Sequence, residues 1–347
     1  MVVLSSNNLT LLDHAKRLDP EGRIATIAEL LSTTNEILTD CVWKESNLPT
    51  GHREVIRTGL PSVYWRSLNQ GIPSSKSTTA QVDEACAILE ARSEVDKDLA
   101  MLNGNTAAFR LSEDAVFLEA MNQRMATTLF YGNPANDPKE FLGLAPRYSD
   151  VGAGNGQNII DAGGTDPADN TSIFLVCWGD QTVFCPFPKG STAGLIHEDL
   201  GEQTVYTNGG SVAERMQALV TRYQWKCGLM VKDWRNVVRI GSIDVSHLVG
   251  FAGTGVGTQD LDEFSTNIIH CMARAVYRLP NPSMGRCAFY MNRTAHSALS
   301  RMAMEKSLNV LNIEQGLSQY GTAQSYMSFM GIPIRKCDAI ALDEAPV

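Results

Sequence analysis

The chain lacks a long apolar run: its longest uninterrupted one, Ile173 to Trp178, is six residues, against the roughly 18 to 20 that a membrane-spanning helix needs. No membrane partner is expected. It also lacks a basic opening segment followed by an apolar stretch, so no secretory signal is expected and the default compartment is the cytoplasm. The eight cysteines, at 41, 86, 177, 185, 227, 271, 287 and 337, include no CxxC pair and no zinc spacing. They read as small, reduced, mostly buried hydrophobes. An excess of positive charge is missing too, because 29 basic residues stand against 38 acidic ones for a net charge of -9. That argues against a protein whose task is to grip nucleic acid with a basic face.

Catalytic signatures are equally scarce. There is no GxxxxGK[ST] phosphate loop, no HExxH and no GxSxG, so the common phosphate-binding, metalloprotease and hydrolase devices are excluded. The glycine clusters Gly152-Ala-Gly154-Asn-Gly156 and Gly253-Thr-Gly255-Val-Gly257 lack full dinucleotide-binding spacing and read as loops. His197-Glu198-Asp199 are consecutive, so their side chains diverge and do not form a ligand set. His270 and Cys271, neighbours on one helix, do not face each other. Asn8, Asn170 and Asn292 match the glycosylation tripeptide by chance. Neither a catalytic residue, a cofactor nor a metal is expected.

What remains is an ordinary globular composition, 44% hydrophobic and 19% charged over 347 residues, long enough for two domains or one large one. Charge is uneven: residues 1–80 hold 8 basic and 8 acidic groups, so the whole deficit lies beyond them. Asp19-Pro20-Glu21 starts a helix that carries Ile24, Ile27, Leu31 and Leu38 on one face. From His52 to Gln70, Val55, Ile56, Val63, Tyr64 and Trp65 mark a strand kinked at Gly59-Leu60-Pro61. A polar tip over 69–79 and a second strand from Gln81 to Val95 complete a long hairpin. An isolated two-stranded ribbon of this length does not stabilise itself in water, so it needs a partner surface or folds back on its own chain. Five basic residues against two acidic ones over 44–80 make it the electrostatic complement of the acidic remainder.

Ser112, with Glu113 and Asp114 behind it, predicts a helix cap, and Leu118, Met121, Met125 and Leu129 predict its apolar stripe up to Gly132-Asn133-Pro134. Gly152 to Asn170 reads as a loop. Strands are expected over 171–188 around a Gly179-Asp180 turn, then at 204–207, 219–232 and 235–245, at 286–291 and at 331–340; helices are expected at 260–277 and, capped by Asn292, at 292–306. Helices and strands mix without βαβ alternation, so the class is α+β.

The run from Gly51 to Asn133, GHREVIRTGLPSVYWRSLNQGIPSSKSTTAQVDEACAILEARSEVDKDLAMLNGNTAAFRLSEDAVFLEAMNQRMATTLFYGN, and the opening LLDHAKRLDP resemble the major capsid proteins of short-tailed, podovirus-type bacteriophages. Tyr131 to Tyr148, Trp225 to Val245 and Ile332 to Ile340 extend the resemblance over most of the chain. It implies the tailed-phage capsid (Johnson) fold: an N-terminal arm and helix over 1–45, an extended β-hairpin loop over 46–98, and a peripheral domain over 99–150 with a long spine helix at about 112–131. A mainly axial α+β domain over 151–330, sharing strands with the peripheral one, and a C-terminal strand over 331–347 follow.

The implied function is structural: self-assembly as hexamers and pentamers into an icosahedral head enclosing double-stranded DNA, each subunit laying its extended loop over a neighbour. Repeated heterologous contacts that close by rotation give rings and shells. Arg53, Arg57, Arg66 and Lys76 are the expected charged contacts of that loop, and Tyr64 and Trp65 its apolar anchors. The resemblance admits a cement or decoration protein, a scaffold and a portal as further partners, with packaged DNA held without specific binding. No covalent cross-link through Lys76 is expected. The location implied is the virion capsid, after synthesis and assembly in the host cytoplasm. A cellular encapsulin-like nanocompartment shell and a cytoplasmic α+β enzyme are the rival readings.

Overall fold

Nine consecutive residues, Asn170–Trp178, are buried without exception, which a strand achieves only with neighbours at both edges and layers on both faces. This strand, β6, is the centre of a computed structural model that describes residues 33–102, 105–206, 215–250, 258–304, 311–317 and 323–347. The helix expected from Asp19 lies mostly outside them, as do the Gly253–Gly257 cluster and Asn8.

Preceding β6 are β1 (Trp43–Glu45), β2 (Gly51–Gly59), β3 (Thr78–Ala85), β4 (Ala87–Asp96) and β5 (Ile159–Asp161). After it come β7 (Val183–Phe187), β8 (Leu195–Tyr206), β9 (Arg215–Cys227), β10 (Met230–Val231) and β11 (Val237–Asp244), then β12 (Arg286–Met291), β13 (Leu311–Leu317), β14 (Ala323–Phe329) and β15 (Ile332–Lys336). The long helices among the described residues are α1 (Thr106–Tyr131), α2 (Thr258–Arg278) and α3 (Arg293–Met304).

Contacts divide the chain into two units. The first comprises Ile88–Met125 and Gly194–Lys226 with Thr33. In it β4, β9 and β8 form a three-stranded sheet, and Val95, Leu99, Ala100 and Phe109 make a small core with Leu219 against it. Arg110 bridges the α1 segment to the sheet through Asp199 at 2.8 Å and Thr221 at 2.9 Å. Asp199 is held below the usual carboxylate range mainly by that guanidinium.

The second unit comprises Thr34–Ala87, Ala126–Ala193 and Cys227–Val347. Its ten-stranded sheet follows the order β1-β7-β6-β12-β15-β14-β13, with β10 also paired to β7, β11 to β6 and β5 to β11. Ile173, Leu175, Val238, Phe289 and Ile334 supply the sheet side of the main core; Ile268, Met272 and Ala275 of α2 and Ala298 and Leu299 of α3 supply the helix side. Burial of this many aliphatic groups, each worth about 1.5–3 kcal/mol, is the main stabilising term. One buried polar centre of this unit is densely paired. The Glu344 carboxylate is buried and accepts from Arg239 Nη2 at 2.7 Å, from Ser172 Oγ and from Tyr131 O–H. Burial, then the Glu344 charge, pushes the Tyr131 phenol well above its ordinary value and keeps it protonated as a donor.

Several expectations meet the structure directly. The 286–291 strand and the Asn292 cap stand as read, with Asn292 Oδ1 accepting from the Thr294 amide at 3.0 Å. The long helix starts six residues earlier than its apparent cap: Asn105 Oδ1 accepts the Ala108 amide at 3.2 Å, and the Ser112 hydroxyl donates instead to the Phe109 carbonyl. Leu118 is exposed, whereas Met121, Met125 and Leu129 are buried. The second arm of the ribbon divides, since β3 ends at Ala85, the Cys86 amide bonds the Thr50 carbonyl, and β4 leaves to join β9. Within the glycine-rich 152–170 stretch, Ile159–Asp161 pairs with β11 as a strand. Asn170 and Asn292 are both buried, closed to any glycan.

Candidate functional site

The ribbon begins where sequence and packing fix it hard. Gly51 faces Ala85 in the β2–β3 ladder, and a Cβ there would collide with the Glu84 carbonyl oxygen. Beside it Arg147 holds Glu84 with two bonds, 2.5 and 2.8 Å, and donates to the Leu142 and Leu229 carbonyls at 3.1 Å. Both side chains are largely buried, so the pair sits in a low-dielectric setting where breaking it is costly. Lys232 adds a bond to Glu54 at 2.9 Å and His52 Nε2 another at 3.0 Å. Burial alone would raise the Glu54 carboxyl, but these partners outweigh it and its pKa falls below the usual value. The His52 ring lies edge-on to Phe184, 5.2 Å between centroids.

Away from this root the ladder runs eight register pairs, from Gly51↔Ala85 to Gly59↔Thr78. Every residue from 60 to 79, the loop beyond the ladder together with the first two residues of β3, is exposed. Asn69 adopts the left-handed conformation, φ 64°, at the tip turn, which Asn tolerates better than most residues. Within the loop the Ser75 hydroxyl donates to the Ser62 carbonyl at 2.8 Å.

Five of the six predicted contact residues lie on this outer part or next to it: Arg57 at the end of β2, and Tyr64, Trp65, Arg66 and Lys76 in the loop, all exposed. Arg57, Arg66 and Lys76 form no ion pair among the described residues. Arg53 is nearer the root and already engaged, gripping Asp83 across the ladder at 2.6 and 2.7 Å and lowering that carboxyl's pKa. Sequence reading missed an apolar series beside them. Leu60, Val63, Leu68 and Ile72 are exposed with Trp65, which has no contact shielding it. Their signal was available: large apolar residues recurring through a Pro/Gly-rich segment with no ladder to bury them. Leu111 and Val116 of α1 are exposed in the same way.

The arrangement offers surface rather than chemistry. Among the described residues no group of three His, Cys, Asp or Glu could hold a metal ion, and no helix is long and apolar enough to cross a membrane. His197 lies tilted against Tyr223, Glu198 pairs with Arg222 and Asp199 with Arg110, so that triplet is dispersed into separate structural contacts. His270 is exposed while Cys271 is buried.

Comparison with known proteins gives the same answer. The family model described as major capsid protein GP7 matches residues 19–347. A solved structure of bacteriophage epsilon15 is 31% identical, with 100% of this chain and 99% of that chain covered and a TM-score of 0.73. The capsid of bacteriophage JBD30 matches at 9% identity over 93% and 99% of the two chains, TM-score 0.47, and the capsid of a native GTA particle at 8% over 65% and 95%, TM-score 0.44. No curated protein matches. Copies of this chain therefore build the capsomers of a virion capsid, a structural rather than an enzymatic task. With the mixed helix-and-sheet fold of tailed-phage capsids and a match over nearly its whole length, the chain belongs to the major capsid protein GP7 family.

Proposed function

We propose that the ribbon and its loop form the contact by which one subunit holds the next in a capsomer, with Arg53, Arg57, Arg66 and Lys76 as its charged contacts and Tyr64 and Trp65 as its anchors. The observation that carries this is the unbroken exposure of residues 60–79, including Trp65, on a root fixed by buried ion pairs. A stretch of this apolar content gains nothing from ordering in water, and large exposed apolar patches mark interaction surfaces. Arg53, paired to Asp83, braces the ribbon that presents the others. On this reading residues 46–98 are the extended loop, 1–45 the arm, 99–150 the peripheral domain with its spine helix, 151–330 mainly the axial domain and 331–347 the closing strand. The β4–β9–β8 sheet, in a unit of Ile88–Met125 and Gly194–Lys226, favours shortening the loop to 46–87 and assigning 194–226 with 88–98 to the peripheral part.

We extend the reading to hexamers and pentamers, packaged DNA, a scaffold, a portal and a cement or decoration protein as partners, and to assembly in a bacterial cytoplasm. The acidic balance of the chain favours DNA held loosely, since phosphate binding scales with cationic contacts. Assembly of Trp65→Ala, and separately of Arg57→Glu with Arg66→Glu, followed by light scattering, tests the contact. Both variants should stay folded and lose particles, Trp65→Ala by about 2 kcal/mol or more per contact; particles forming at the parent concentration would overturn it.

A further inference from the structure

Two cysteines meet in the middle of the large sheet. Cys177 on β6 and Cys287 on β12 are direct register partners on adjacent antiparallel strands. Such partners hold their Cβ atoms about 4.5–5.5 Å apart, next to the roughly 3.5–4.5 Å that a disulfide spans. Each thiol feels the other: Cys177 is lowered by its neighbour, and Cys287 is raised by its neighbour and by burial. Cys177 is fully buried, but Cys287 is partly open to solvent, with Sγ 3.4 Å from the Pro282 carbonyl.

The other thiols differ. Cys41, Cys185 and Cys227 also touch, yet all three are buried where no oxidant reaches them. Cys86 faces Ser46 Oγ at 3.7 Å and the Pro186 carbonyl. Cys271 and Cys337 are buried.

We propose that Cys177 and Cys287 are an oxidisable pair that closes to a disulfide, stapling β6 to β12, when the protein meets a low-molecular-weight disulfide. Cys287 is the thiol of the pair open to solvent, so it is the one that gives up its proton to water and attacks as a thiolate. That thiolate attacks one sulfur of the small disulfide, forms a mixed disulfide and releases one small thiol. The Cys177 thiol, losing its proton, attacks the Cys287 sulfur and expels the second. The two protein sulfurs lose two electrons and two protons, and the small disulfide gains them as two thiols. The bond closes a loop of about 110 residues and restricts the unfolded chain accordingly. Its use to a shell leaving a reducing cell rests on the proposed function; the chemistry rests on the sheet alone.

The test takes the full-length reduced chain, incubates it with oxidised glutathione, caps remaining thiols with iodoacetamide and maps chymotryptic peptides by mass spectrometry. Cleavage at Trp178 separates Cys177 from Cys185. A linked Cys177–Cys287 peptide is expected, absent from Cys287→Ser, with an unfolding temperature raised by roughly 5 °C or more and restored by dithiothreitol. In Cys177→Ser a stable glutathione adduct should accumulate on Cys287, for want of the resolving thiol. Both cysteines fully alkylated in the parent chain, or an unresolved adduct on Cys287 there, would overturn the proposal whether or not the protein assembles.

Discussion

β6 and the loop after β2 are opposite solutions to the same problem. Every side chain of Asn170–Trp178 is buried by strands and helices of its own chain, while every residue from 60 to 79 is exposed. Both are rich in large apolar groups: Ile173, Phe174, Leu175 and Trp178 in one, Leu60, Val63, Trp65, Leu68 and Ile72 in the other. The first obtains its stabilisation within the subunit, and the second has it still to gain. Substitutions in the two regions should accordingly separate stability from assembly.

The largest effect on the intramolecular side belongs to the Arg239–Glu344 pair, whose side chains are 6% and 5% exposed. Glu344→Ala strands a buried guanidinium and should cost about 3–5 kcal/mol in denaturant unfolding; Arg239→Met with Glu344→Leu should recover much of that. Next comes Glu84→Ala at the ribbon root, expected to cost about 1–3 kcal/mol because Arg147 keeps only its carbonyl acceptors. That variant sharpens the comparison, as it should also weaken assembly by loosening the base of the loop. The smallest effect is a pH dependence. Glu54 has a folded-state pKa below its ordinary value of 4.5, so its contribution is present above that value and is lost as pH falls through the folded pKa. Protection of the β2 amides should be lost on acidification below pH 4.5 in the parent and show no such step in Glu54→Gln.

Locally encoded features were legible. The strand 286–291 and its following Asn292 cap depend on neighbours in sequence, and so does the polar tip carrying Lys76. Features decided at a distance were not. Nothing in Gln81–Val95 says that the strand changes partners at Cys86, since β9 lies more than a hundred residues on. Ser112 has the residues of a cap, but the core formed by Phe109 with Val95 and Leu99 holds the preceding turn helical. The Glu344 centre joins residues 131, 172, 239 and 344, a convergence with no periodic trace. The contact surface was half legible: its charges and aromatics stood out, while Leu60, Val63 and Leu68 lay in an expected strand that in the structure ends at Gly59, and Ile72 lay in the expected polar tip.

The central claim is that residues 60–79 are ordered by a neighbour rather than by their own subunit. Hydrogen–deuterium exchange followed by mass spectrometry, on unassembled subunits and on particles, tests it directly. Amides of 60–79 should exchange rapidly in the subunit and become protected in the particle, with β6 slow in both. Equal exchange of 60–79 in the two states would contradict the account.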